Sequence, residues 1–234
     1  MKPVLYLGTK NYSSWSLRPW LAAKKAGFDF EEVVIDFDQP YTKQKIFAIS
    51  PSGKVPVWMD EHGYIWDSLA ICEYLAEQSS NLWPSDRIQR AQARAVSCEM
   101  HSSFLALRTE MPMNIRAHQR QIKLSEAALN DLKRIEAIWA VLLEAQQNSA
   151  SAEGWLFGQF SIADAMFAPV VIRLNAYAVP MSPVMQAYQM QFYADPDFQQ
   201  WIKDAEEDTW IVPRVEIGRG STKNQNAIQP NDKA

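Results

Sequence analysis

The pattern of the chain changes once. Up to about residue 80 short β-like runs alternate with helical stretches, and beyond Trp83-Pro84-Ser85 every patterned stretch has helical spacing. The first half begins with an apolar run, Pro3 to Gly8, that reads as a buried strand. Leu17, Trp20 and Leu21 follow at helical spacing, with Lys24 breaking the apolar stripe. Asn11, Ser13 and Ser14 are good helix-capping types before that stretch, and Gly27 is a good stop after it. Pro19 fits only in the first turn, where its missing N–H costs nothing. Phe30 to Phe37 is a second strand, rich in β-branched residues.

A short helix is expected after Pro40, ending at the turn cluster Ser50-Pro51-Ser52-Gly53. Val55–Met59 and Tyr64–Trp66, separated by a Glu61-His62-Gly63 turn, read as a hairpin. Asp67 or Ser68 then caps a helix carrying Leu69, Cys72 and Leu75. The order βαβαββα fits a crossover unit with an antiparallel hairpin at its edge.

In the second half long helices are expected over 87–108, 124–147, 161–178 and 195–208. The expected organisation is an α/β domain over 1–80, an all-helical domain over 85–217, and a disordered tail over 218–234 with almost no apolar residues.

Composition excludes several classes. The chain has 234 residues and a net charge of −4, shared evenly by its two halves, so neither nucleic acid nor an anionic membrane surface is an expected partner. Two cysteines cannot build a disulfide framework, and the three histidines lack metal-ligand spacing, so no metal is expected. The N-terminus lacks the apolar region of a signal peptide, and no apolar run approaches the roughly eighteen residues of a membrane span. A cytoplasmic protein is expected.

Three features in the first half carry candidate chemistry. The Ser13-Ser14-Trp15-Ser16 cluster stands where a helix begins, and a helix N-terminus with hydroxyl donors suits an anion. A thiol placed there is pushed toward thiolate. One serine capping the helix and the rest lying on the surface is the plain alternative. Pro56 sits where a β-run should start and marks an edge, a first strand residue or a cis bond. A backbone held open at Val55 offers itself to an extended peptide, or the segment is an ordinary loop-to-strand transition. Asp67-Ser68 either contacts an ammonium or carboxylate or is a simple helix cap.

Taken together, these features resemble the glutathione S-transferase superfamily across nearly the whole chain. The segment Ile49-Ser50-Pro51-Ser52-Gly53-Lys54-Val55-Pro56 is similar to the family pattern before its cis-proline, and Asp67-Ser68 to its Glu/Gln-Ser pair. Phe160-Ser161-Ile162-Ala163-Asp164 matches the Ser-x-Ala-Asp box that opens a buried helix in the helical domain. Ser13-Ser14-Trp15-Ser16-Leu17-Arg18 is closest to the zeta-class stretch, with Trp15 in place of its cysteine.

The resemblance implies a thioredoxin-like domain followed by a helical one, and a glutathione transferase that acts in detoxification on a small hydrophobic electrophile. It implies Ser13, or Ser14, as donor to the glutathione sulfur, with Tyr6 and Tyr12 as rivals. Val55 beside Pro56 is implied for the cysteinyl backbone, Asp67 and Ser68 for the γ-glutamyl end, and Lys54, with Lys43, for the carboxylates. A zeta-type isomerase and a non-catalytic binder are the alternatives, and a homodimer is the implied assembly.

Other residues invite plainer readings. Cys72 and Cys98 read as buried small hydrophobes, and Ser161 with Asp164 as a capping pair. His101 lies on a helix that walls the family's cleft, where it is a surface or packing residue. The stretch from Arg108 to Arg116 lines a pocket or is a helix end broken by Pro112. Nine tryptophans add support for an interface.

Overall fold

The computed structural model describes residues 1–146 and 153–218. The expected tail therefore lies outside the described residues, Gly218 excepted. The α/β half runs β1 (Val4–Gly8), α1 (Ser14–Lys25), β2 (Glu31–Ile35), α2 (Thr42–Ile49), β3 (Val57–Asp60), β4 (Gly63–Ile65) and α3 (Ser68–Glu77). Its sheet has the order β2-β1-β3-β4. β1 pairs in parallel with β2, Leu5 opposite Glu32, and antiparallel with β3, Leu5 opposite Trp58. Leu5 and Leu7 are fully buried, as the apolar first run requires.

The helical half comprises α4 (Arg87–Ser102), α5 (Leu105–Glu110), α6 (Glu126–Gln146), α7 (Ile162–Ala176), α8 (Pro183–Ala194) and α9 (Pro196–Glu207). α7 is buried at every residue but Asn175, so it forms the axis of this domain. The Ser161–Asp164 capping box opens it: the Ser161 N–H and hydroxyl donate to Asp164 Oδ2 at 2.8 and 2.9 Å. Leu156 N–H and the Tyr188 hydroxyl satisfy Oδ1 at 3.0 and 2.7 Å. Burial drives this carboxyl upward, against those donors.

Several expectations are corrected. The helix expected over 87–108 breaks at Ser103, which is extended, and Phe104, which has φ +60°. The chain restarts as α5, whose Leu107 N–H is satisfied by Asp131 of α6 at 3.0 Å. Pro19 lies inside α1 beyond its first turn, because the helix starts as early as Ser14. α8 adds a helix that sequence periodicity did not indicate, although Ser182-Pro183 is a cap followed by a first-turn proline. Cys98 is exposed on α4, while Cys72 is buried as expected. The tryptophans mostly fill the chain's own core: Trp20, Trp58, Trp83, Trp139, Trp155 and Trp201 are all buried, so their abundance is no argument for an interface.

The two halves meet along α1, which packs on α3 of its own domain and on α7 and α9 of the other. Leu17, Trp20 and Leu21 of α1 belong to one continuous core with Phe167, Val171 and Trp201. Polar clamps flank this joint. Lys10 bonds Glu32 at 2.6 Å and Asp204 at 2.5 Å, and Lys25 bonds Asp195 and, at 2.9 Å, Asp197.

Candidate functional site

A cavity of about 1070 Å³ opens between the domains. Ser13, Ser14, Lys54, Val55, Pro56, Asp67 and Ser68 all line it, so residues far apart in sequence converge. Its volume is at the upper end of ordinary ligand pockets, roughly 300–1,000 Å³.

The start of α1 forms one wall. Ser13 is the residue before the helix, yet its hydroxyl does not cap it. Instead Ser13 Oγ donates to Ser16 Oγ at 2.7 Å, and Ser16 Oγ accepts the Gly8 N–H at 3.0 Å. The hydroxyls are thus tied into a chain anchored on the end of β1. Tyr12 also lines the cavity, but its hydroxyl donates to Glu216 at 2.6 Å and accepts from Arg116 at 3.2 Å. Tyr6 points elsewhere, its hydroxyl against Met59 Sδ at 3.9 Å. Burial raises both phenols, which disfavours either as an anion.

The second wall is the loop before β3. Gly53 has φ +64°, which favours glycine, and a Cβ there would meet the exposed Phe47 ring at 2.7 Å and have to push it aside. The Val55–Pro56 peptide is cis, which decides among the three readings of Pro56. Pairing of β3 with β1 begins only at Val57, leaving Val55 off the ladder and on the cavity wall. Lys54 is exposed at the rim, and Lys43, exposed on α2, is not among the lining residues.

The third wall begins α3. Asp67 Oδ1 caps the helix, accepting the Leu69 and Ala70 N–H groups at 3.1 and 3.3 Å. Asp67 Oδ2 pairs with His101 Nε2 at 3.0 Å, so His101 reaches the site across the domain boundary. Beside it the Ser68 hydroxyl is buried and has no hydrogen-bond partner among the described residues. A buried hydroxyl without a partner is costly, and one on a cavity wall points to a ligand.

The helical domain supplies the remaining wall with His101, Leu105, Arg108, Pro112, Met113 and Arg173. The expected pocket stretch therefore contributes Arg108, Thr109, Pro112 and Met113, whereas Met111 is fully buried in the core. Arg173 was not anticipated. Its one signal is a lone charge in the otherwise uncharged, largely apolar run from Ala165 to Leu174.

Val212, Arg214 and Val215, from the segment after α9, close the cavity and gave no sequence signal. That segment is held by Glu216, which accepts from Tyr12, from Asn114 at 2.8 Å and from Arg120 at 2.5 Å. Burial pushes the Glu216 carboxyl up, but these donors outweigh it and hold it below the usual range.

Among known proteins, the family model described as glutathione S-transferase, N-terminal domain matches residues 12–78, and the C-terminal domain model matches residues 115–203. A probable maleylacetoacetate isomerase from Caenorhabditis elegans is 31% identical over 78% of this chain and 83% of its own length. Maleylacetoacetate isomerase from Rattus norvegicus is 28% identical over 78% and 82% respectively. A Burkholderia glutathione transferase homolog, solved with bound glutathione, superposes with TM-score 0.69 at 26% identity, over 89% of this chain and all of that one. With both halves matched, and with the serine start, cis-proline loop and Asp-Ser pair gathered on one cavity, the chain belongs to the glutathione S-transferase family.

Proposed function

We propose that this chain is a glutathione transferase that activates glutathione as a thiolate and adds it to a small electrophile. The observation that carries this is the convergence of Ser13, Val55 and the unpartnered Ser68 hydroxyl on one cavity. In this reading Ser68 and Asp67 hold the γ-glutamyl end, the Val55 peptide pairs with the cysteinyl backbone, and Lys54 faces a carboxylate. The Ser13 hydroxyl donates to the sulfur at the positive end of α1. Serine is too weak an acid to serve as the base, so its role is to stabilise the anion. A free thiol near pKa 8.5 is only a few per cent ionised at neutral pH. Lowering it by two units takes about 2.7 kcal/mol, within reach of one charge-assisted bond plus a helix terminus.

The Ser13–Ser16 pair gives this donor its mechanism. Ser16 turns its own proton toward Ser13, Ser13 turns its proton to the sulfur, and the Gly8 N–H keeps Ser16 in place. Nothing but hydroxyl rotation is required. The proposed setting is the cytoplasm, in detoxification, as a homodimer. In support of that assembly, the sheet edge at β4 leaves Tyr64 46% exposed.

A glutathione-dependent isomerization is the second reading, favoured by the names of the relatives; Trp15, standing in place of the zeta-class cysteine, counts against it. Retention on immobilised glutathione together with turnover of an aryl halide tests the first reading. Turnover of a cis-dienone acid without conjugation would replace it by the second, and retention without any turnover would leave a binding protein.

A further inference from the structure

On the helical-domain side of the cavity, guanidinium groups gather with no carboxylate paired to them. Arg173 is 3% exposed; its Nε donates to the Met111 carbonyl at 2.7 Å, and its buried Nη1 has no partner among the described residues. Arg108 is half-buried, donates to the His101 carbonyl at 3.1 Å, and stands 5.3 Å from the centre of the Trp15 ring. Behind them Arg18, 1% exposed, lies 4.3 Å from the same ring with Nε and Nη1 unpartnered. Burial, and repulsion from Arg173 and Arg108, bring Arg18 down to about 9; burial and repulsion from Arg108 bring Arg173 to about 10. Both remain charged at neutral pH.

The surroundings do not neutralise this cluster. Asp67 is the sole carboxylate among the described lining residues, and it is engaged by His101 and by the start of α3. Asp131 acts on Arg108 from outside the cavity, and its Oδ2 accepts the Leu107 N–H. Arg214, answered by Asp38 at 3.3 Å, and Lys54 add further positive charge to the lining. Buried charges without partners are costly, and a planar guanidinium with free N–H groups matches a carboxylate in shape and charge.

We propose that Arg108 and Arg173 form an anion subsite that holds a carboxylate of the second substrate, whose apolar body lies along Leu105, Pro112 and Met113. This rests on the glutathione reading above and gives the electrophile a chemical class: a small apolar molecule with a carboxylate at one end. The groups assigned to glutathione lie on the other walls, so the arginines are left for its partner.

Two unreactive conjugates test the subsite by titration calorimetry at neutral pH, S-benzylglutathione and S-(4-carboxybenzyl)glutathione. The carboxylated conjugate binds at least about tenfold more tightly, as one charge-assisted contact provides. That preference disappears in Arg108→Gln, and also in Arg173→Gln where circular dichroism shows it folded; Arg108→Gln, on a half-buried side chain, decides the matter if Arg173→Gln does not fold. Equal binding of the two conjugates, or a preference that survives in Arg108→Gln, overturns the subsite and leaves the glutathione site standing. An equal loss of affinity for glutathione itself in Arg108→Gln also overturns it, by giving the arginine to the tripeptide. Binding of neither conjugate overturns the glutathione reading and this inference with it.

Discussion

Ser13 donates its hydroxyl to Ser16 and not to the helix it precedes, so under the proposed role its removal affects the sulfur more than the fold. Ser13→Ala is expected to lower kcat about ten- to a hundredfold, the value of one bond to a charged group at roughly 1.5–3 kcal/mol. It should also raise the pKa of bound glutathione, read from thiolate absorbance. Ser16→Ala is expected to cost only several-fold, and Ser14→Ala to stay near wild type; a collapse in Ser14→Ala with Ser13→Ala unchanged would move the role one residue along. Asp67 shows why capping and binding were inseparable in sequence: one carboxylate oxygen caps α3 while the other faces His101. Asp67→Asn separates them, because asparagine caps as well as aspartate. Its KM for glutathione should rise about tenfold while Tm stays near wild type, and an unmoved KM would leave Asp67 a cap alone. The serine cluster, Val55-Pro56 and Asp67-Ser68 were legible because each sits at a local break in a run. Arg173 and Val215 reach the cavity only through tertiary packing, which no spacing along the chain encodes.

At the scale of elements the alternation of strand and helix up to α3 was readable because each run has its own period and its own breaker. The break between α4 and α5 was not, since Ser103 and Phe104 carry no proline or glycine, and it is Asp131 of α6 that satisfies the new helix start. The segment after α9 is likewise shaped by distant partners, chiefly Glu216. Its carboxyl is held below the ordinary value, so the stability it lends is fully present above the unfolded value near 4.3 and is lost as pH falls through the lower, folded value. Glu216→Gln is therefore expected to be less stable than wild type in urea at pH 7, with the gap closing as pH drops below about 4. A gap that stayed constant would assign the loss to packing.

For the whole molecule, the proposed homodimer predicts a species of about twice 26.7 kDa by light scattering at micromolar concentration; a single 26.7 kDa species would refute it. Closed two-fold pairing is the commonest assembly of such chains, but the tryptophan count that lends it support in the sequence is explained by the core. The position of α1 has a consequence of a different kind. Its apolar residues belong to the sheet's core and to that of α7 at once, so neither half retains an intact interior when the other melts. Although the chain matches two separate family models, unfolding should be cooperative across both, appearing in calorimetry as one heat-absorption peak. Cutting the chain between α3 and α4 should yield two fragments that bind a hydrophobic dye and fail to fold apart, yet regain structure when mixed.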